Sequence, residues 1–223
     1  MKRWLVGSLA LNAAFLATAL YLVVGAQDLF VTYFVDPGWE RRFSFFEAHP
    51  IQPGDVVFLG DSITASGEWA ELFPDLPVRN RGIGGDTTEG LLRRLQQITR
   101  GRPGKLFLLI GTNDLGFGKE PASIAENVGT LLGEMHRASP ETALYVQSVL
   151  PRAGEYREAI EDLNRRLEGI AAAHGATWLD LYPHFLAGDG SLDDVLTNDE
   201  LHLLADGYER WRDLLRPHLQ SPG

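Results

Sequence analysis

From Asp55 onward the chain alternates short apolar runs with stretches of helical periodicity, and this alternation limits the folds open to it more than any other feature. Candidate strands are Asp55 to Leu59, Val78 to Arg81, Lys105 to Ile110, Ala143 to Val149 and Thr177 to Leu181. The first and third are nearly continuous apolar runs, as expected when both faces of a parallel strand are covered. Helical patterns lie between them over Thr87 to Ile98, Ile124 to Arg137 and Tyr156 to Ala173, with a last one over Asp206 to His218. Ser123-Ile124-Ala125-Glu126 has the form of a capping box, and Gly175 suits a helix end. The order predicts one α/β domain over residues 51–223, a three-layer α/β/α sandwich with a five-stranded parallel sheet.

The first 26 residues stand apart. Met1-Lys2-Arg3 is followed by residues 4 to 26 without a charged side chain, long enough to cross a hydrocarbon core of roughly 30 Å as a helix. Trp4 and Tyr21 suit the two interfaces, and the run reads as a membrane anchor. The alternative is a signal peptide cleaved near Val24-Gly25-Ala26, although the apolar run exceeds the usual ~7 to 15 residues. Either way the basic start keeps the N-terminus cytoplasmic and sends the domain to the extracytoplasmic side, periplasmic or extracellular. Residues 27–50 form an aromatic-rich connection, with a break at Asp36-Pro37-Gly38 and phenylalanines that pack on the domain or lie at the membrane surface.

Composition removes several functions. Twenty Lys and Arg against 30 Asp and Glu give a formal charge of -10, which repels phosphate backbones and argues against a nucleic-acid partner. No cysteine is present, so thiolate metal sites, disulfides and a cysteine nucleophile are excluded. No convincing ligand cluster points to a metal, and no cofactor is expected.

The strand ends carry the chemistry. "VFLGDSIT", residues 57 to 64, breaks from apolar to glycine, acid and hydroxyl, so Ser62 sits where open α/β sheets hold their ligands, or merely in a turn. No G-x-S-x-G surrounds it. After the second strand, Gly82-Ile83-Gly84-Gly85-Asp86 lets backbone N–H groups approach an anion. It fits neither dinucleotide nor P-loop spacing, and its Asp would repel a phosphate. After the third strand, Asn113 in "LLIGTNDLG" can donate to developing negative charge, or bond its own turn. Near the end, Asp199 and His202 are three apart, so a helical or tight turn lets the carboxylate hold Nδ1 while Nε2 faces a hydroxyl. Asp193 and Asp194 compete for that partnership, and Asp61, Asp86 and Asp114 are assigned to holding turns.

Gly-Asp-Ser, the loop ending in Gly85, Gly-Thr-Asn and Asp-x-x-His, in this order, resemble the SGNH hydrolases, also called the GDSL lipase and esterase family. The resemblance covers roughly residues 55 to 215, and "GIGGDTTEGLLRRL" and "EWAELFPDL" look like blocks of the platelet-activating-factor acetylhydrolase catalytic subunits and their bacterial relatives. It implies a flavodoxin-like fold, with Ser62 as nucleophile, His202 and Asp199 completing a triad, and Ser62, Gly85 and Asn113 forming the oxyanion hole. Gly84 stands next in line to Gly85. The implied activity is a serine esterase acting on small acyl esters of a glycan or lipid, without metal or cofactor.

Alternatives are a lysophospholipase or thioesterase on longer chains, acyl transfer to a sugar hydroxyl, and a non-catalytic membrane-tethered module for acylated glycans. Short connections after Ser62 and Asn113 leave no lid. Candidate walls for the acyl group are Trp69, Phe73, Leu115, Phe117, Leu201 and Leu203. A homodimer is compatible with the likeness to the acetylhydrolases.

Overall fold

The computed structural model describes residues 35–219 continuously, preceded by residues 12, 15, 16, 18, 20–22 and 25. The chain divides into two compact units, Met1–Arg41 and Arg42–Gly223. In the smaller one, the described residues from 12 to 25 are helical, and among the described residues no helix is long and apolar enough to cross a membrane. Most of the proposed anchor at residues 4 to 26 lies outside the described residues.

Helix α1 spans Asp36–Ala48, so Asp36-Pro37-Gly38 is its first turn and not a break before it. Within the larger unit, Phe46 packs onto the domain at 2% exposure, its ring flanked by the guanidinium groups of Arg42 and Arg81 at 4.7 and 4.6 Å. Phe45 remains 51% exposed.

The domain proper runs β1 (Val56–Gly60), α2 (Ser62–Ala65), α3 (Trp69–Leu72), β2 (Val78–Gly82), α4 (Thr88–Thr99), β3 (Lys105–Leu109), α5 (Thr112–Gly116), α6 (Pro121–Ala138), β4 (Ala143–Gln147), α7 (Arg157–Ala173), β5 (Thr177–Leu179) and α8 (Ala205–Leu219). All five strands are parallel, in the order β2-β1-β3-β4-β5. Connections from β1 leave toward one side and those after β3 toward the other, so the crevice of an open α/β sheet falls at the carboxyl ends of β1 and β3. The register brings those ends level: Gly60 pairs with Gly82 on one side and Leu109 on the other.

Every residue of β1 is buried, because both faces are covered. Val57, Leu59, Leu106 and Leu108 face a core shared with Leu91 and Ile98 of α4, Val128 of α6 and Leu163 of α7. Phe58, Phe107 and Leu109 face the other core, with Trp69, Phe185, Trp211 and Leu215. Trp69 stacks on Phe58 with ring centroids 4.0 Å apart, and its Nε1 donates to the Thr64 carbonyl at 2.9 Å. Trp211 Nε1 donates to Gln147 Oε1 at 2.7 Å, so both large rings are buried with their polar atoms satisfied.

Strands β4 and β5 stop short of their apolar runs because side chains take over the backbone groups beyond them. Asn164 accepts from Val149 N–H at 2.8 Å and donates to its carbonyl at 3.0 Å, while Ser148 Oγ accepts from the N–H groups of Leu181 and Tyr182. Helix α6 starts at Pro121 after Glu120, so Ser123-Ile124-Ala125-Glu126 lies inside the helix and caps nothing. Gly175 sits just past α7 at φ 65°, a conformation that terminates a helix with little strain for glycine.

Candidate active site

Ser62 opens α2 directly beyond β1. Asp61 caps that turn, its Oδ1 accepting from Ile63 N–H at 3.0 Å, and this bond fixes the backbone from which the serine projects. Ser62 Oγ lies 2.9 Å from His202 Nε2, and His202 Nδ1 lies 2.7 Å from Asp199 Oδ2. The histidine and aspartate arrive on the loop before α8, in a tight turn and not a helix. Asp199 Oδ1 accepts from the N–H groups of Leu201 at 3.1 Å and His202 at 2.7 Å, and Glu200 between them takes φ 60°. A bridge between Thr197 and Leu203 closes the base of the loop.

Those bonds fix which side of the ring faces the carboxylate. Burial raises the Asp199 carboxyl, but His202 Nδ1 and the two N–H groups outweigh it and hold the group at about 2. An ionised carboxylate only accepts, so Nδ1 carries the hydrogen that points at Asp199, and whenever the ring carries one proton Nε2 is free to accept from Ser62 Oγ. Asp193 instead accepts from Val195 N–H at 3.2 Å, which leaves Asp199 as the carboxylate on His202.

The glycine loop and α5 meet beside this chain of bonds. Ile83 to Asp86 form a turn closed by Asp86 N–H on the Ile83 carbonyl at 3.2 Å, with Gly85 at φ 73°. Asn113 Nδ2 donates one hydrogen to the Asp86 carbonyl at 2.9 Å, and the amide has a second to give. Asp114 reaches from α5 to the start of α4, accepting from Thr88 N–H and Thr88 Oγ1. Ser62, Gly85 and Asn113 thus each follow one of three strands whose ends stand level, with Gly85 and Asn113 linked through Asp86.

Asp61 accepts from Ile63 N–H and Asp86 from Thr87 N–H, in keeping with their assignment to holding turns, whereas Asp114 departs from it by bonding Thr88 on another element. Burial pushes the Asp61 carboxyl up to about 7, opposed by the Ile63 N–H and reinforced by the charges of Asp86 and Asp114. Sequence reasoning missed Arg94, which is buried against Asp86 at 2.8 Å. Its signal was available, since Arg94 interrupts the apolar stripe of Leu91, Leu95 and Ile98.

Of the expected walls, Trp69, Phe73, Leu115 and Leu203 are buried packing residues, whereas Leu201 is half-buried and Phe117 is 45% exposed. Among the described residues no group of three or more His, Asp or Glu side chains is placed to hold a metal ion.

The profile of the GDSL-like Lipase/Acylhydrolase family matches residues 58–210. The platelet-activating factor acetylhydrolase IB subunit alpha1 of Bos taurus is 32% identical over 165 residues, covering 69% of this chain and 70% of that protein. The alpha2 subunit of Rattus norvegicus is 28% identical over 167 residues, covering 70% and 72%. Among solved structures, a GDSL-like lipase from Bacteroides thetaiotaomicron superposes with a TM-score of 0.70 at 25% identity, covering 81% of this chain and 96% of that one. An acetyl-xylooligosaccharide esterase from Geobacillus shares the fold, with a TM-score of 0.64 at 18% identity over 77% of this chain and 97% of that one. The chain belongs to the GDSL-like lipase/acylhydrolase family and is a hydrolase.

Proposed function

We propose that the protein is a serine esterase that removes short acyl groups, acetyl foremost, from a glycan or lipid alcohol. The observation that carries this reading is the continuous bond chain from Ser62 Oγ through His202 to Asp199, at 2.9 and 2.7 Å. His202 Nε2 takes the Ser62 proton as Oγ attacks the acyl carbon, and Asp199 stabilises the imidazolium. The tetrahedral oxyanion is held by the N–H groups of Ser62 and Gly85 and by the second hydrogen of Asn113 Nδ2. Collapse expels the alcohol, which takes its proton from His202 Nε2. Water then attacks the acyl-serine with His202 again as base, releasing the acid and restoring Ser62.

A small acyl group is favoured because four of the six expected walls are committed to core packing, and the relatives named acetylhydrolase act on acetyl esters by their names. The exposed Phe117, Val195 and Leu204 favour the second reading, a lysophospholipase or thioesterase that takes an apolar chain along the rim. Residues 4 to 26 would tether the domain to the outer face of a membrane; recovery of the full chain from a washed membrane fraction tests this, and recovery of a chain cut near residue 26 from the soluble fraction rejects it.

Hydrolysis of p-nitrophenyl acetate, butyrate and octanoate by the full chain, beside Ser62→Ala, tests the chemistry. The expected result is activity that falls with chain length and disappears in the variant. A preference for octanoate selects the second reading, and an inert folded wild type points to the binding module. Asn113→Ala should keep its fold and lose about 10² to 10³ in kcat.

A further inference from the structure

The proposed oxyanion donors come from three separate strand ends, and one buried side chain bonds two of them directly and reaches the third through Asp86. Arg94 lies on the inner face of α4 at 1% exposure. Its Nη2 donates to the Gly60 carbonyl at 3.1 Å and to the Arg81 carbonyl at 2.8 Å, and its Nε donates to Asp86 Oδ2 at 2.8 Å. Gly60 ends β1, two residues before Ser62. Arg81 lies in β2 just ahead of the glycine loop. Asp86 closes that loop, and its carbonyl holds Asn113 Nδ2 at 2.9 Å. We propose that Arg94 is a positioning residue for the oxyanion hole, its guanidinium fixing the Ser62 turn, the Gly85 loop and the Asn113 amide relative to one another. This inference rests on the esterase reading above.

The alternative is a plain fastener between helix and sheet, and the bonding of Arg94 makes that a poor explanation. Buried ion pairs add little net stability, and an apolar side chain here would simply complete the stripe of Leu91, Leu95 and Ile98. What a guanidinium offers instead is a rigid planar fork that sets two carbonyls and a carboxylate at fixed spacings; the single ammonium of lysine cannot reproduce it. Spacing is what an oxyanion site depends on, since a displacement of about 1 Å costs about 10²-fold in rate.

The test compares the full chain with Arg94→Met, Arg94→Lys and Asp86→Asn on p-nitrophenyl acetate, at a temperature where circular dichroism shows each folded. Arg94→Met should lose about 10²-fold in kcat with KM within about twofold of wild type. Its pH–rate profile should keep the wild-type shape, because none of these bonds touches His202 or Asp199. Arg94→Lys should fall between the two. If Arg94→Met does not fold, Asp86→Asn serves in its place, since it keeps the side-chain volume and an acceptor oxygen while weakening the hold on Nε; about tenfold in kcat is expected.

Unchanged kcat in folded variants overturns the role of Arg94 and leaves the esterase reading intact. So does a rise in KM together with an altered pH profile, the mark of general loosening. An inert wild type overturns the esterase reading itself, and it shows before any substitution is made.

Discussion

Asp61 shows how much chemistry one position can hold. It precedes the nucleophile, is fully buried, accepts one backbone hydrogen bond through Oδ1 and leaves Oδ2 without a partner. With its carboxyl raised to about 7 by burial, the folded chain keeps a proton there that the unfolded chain releases near pH 4. Below pH 4 both states are protonated. Between there and about 7 only the unfolded state has lost the proton, so this group makes stability fall as pH rises and then level off. Urea unfolding of wild type and Asp61→Asn at pH 5 and pH 8 checks the sign. Wild type should lose about 3 kcal/mol more than the variant over that interval, and equal losses would show that the carboxyl is ionised throughout. The Asp-Ser pair could be read from sequence, but the proton could not. It depends on how completely Asp61 is covered, and on Asp86 and Asp114, which lie 25 and 53 positions further along the chain.

At the scale of elements, the turn from Ile83 to Asp86 makes its two glycines respond differently to substitution. Gly85 takes φ 73°, where a Cβ is strained by about 1 to 2 kcal/mol. A Cβ on Gly84 would meet nothing within 4 Å. Gly85→Ala should therefore lose more than tenfold in kcat, while Gly84→Ala stays near wild type, as assayed on p-nitrophenyl acetate. The reverse order would move the donor to Gly84. Helices and strands were legible because their signals are local: period, glycine after α7, apolar runs in β1 and β3. The ends of β4, β5 and α6 were not, since Ser148, Asn164 and Pro121 set them through bonds or ring geometry that the apolar pattern does not encode. Arg94 was hidden for a related reason. An arginine in an apolar stripe announces burial but not the two strand ends and the Asp86 carboxylate it will join.

The whole molecule assembles its site from parts of unequal solidity. Ser62, the glycine loop and Asn113 follow the level ends of three adjacent strands, β1, the edge strand β2 and β3, braced by the two cores. His202 and Asp199, with side chains 39% and 47% exposed, hang on a surface loop closed by the Thr197–Leu203 bridge. Such loops open at lower free energy than core strands. In increasing urea, esterase activity should therefore vanish before the fluorescence of buried Trp69 and Trp211 changes, and coincident midpoints would show that loop and sheet unfold as one.

That bridge has a further consequence. Because the proposed general base is carried on a surface loop while the proposed oxyanion donors stand at strand ends, evolution or design could retune the two almost independently. A lengthened or restiffened segment between residues 197 and 203 should alter the rate of proton transfer while leaving the spacing of the oxyanion donors unchanged. On this reading the catalyst would be a fixed mould with a replaceable stylus.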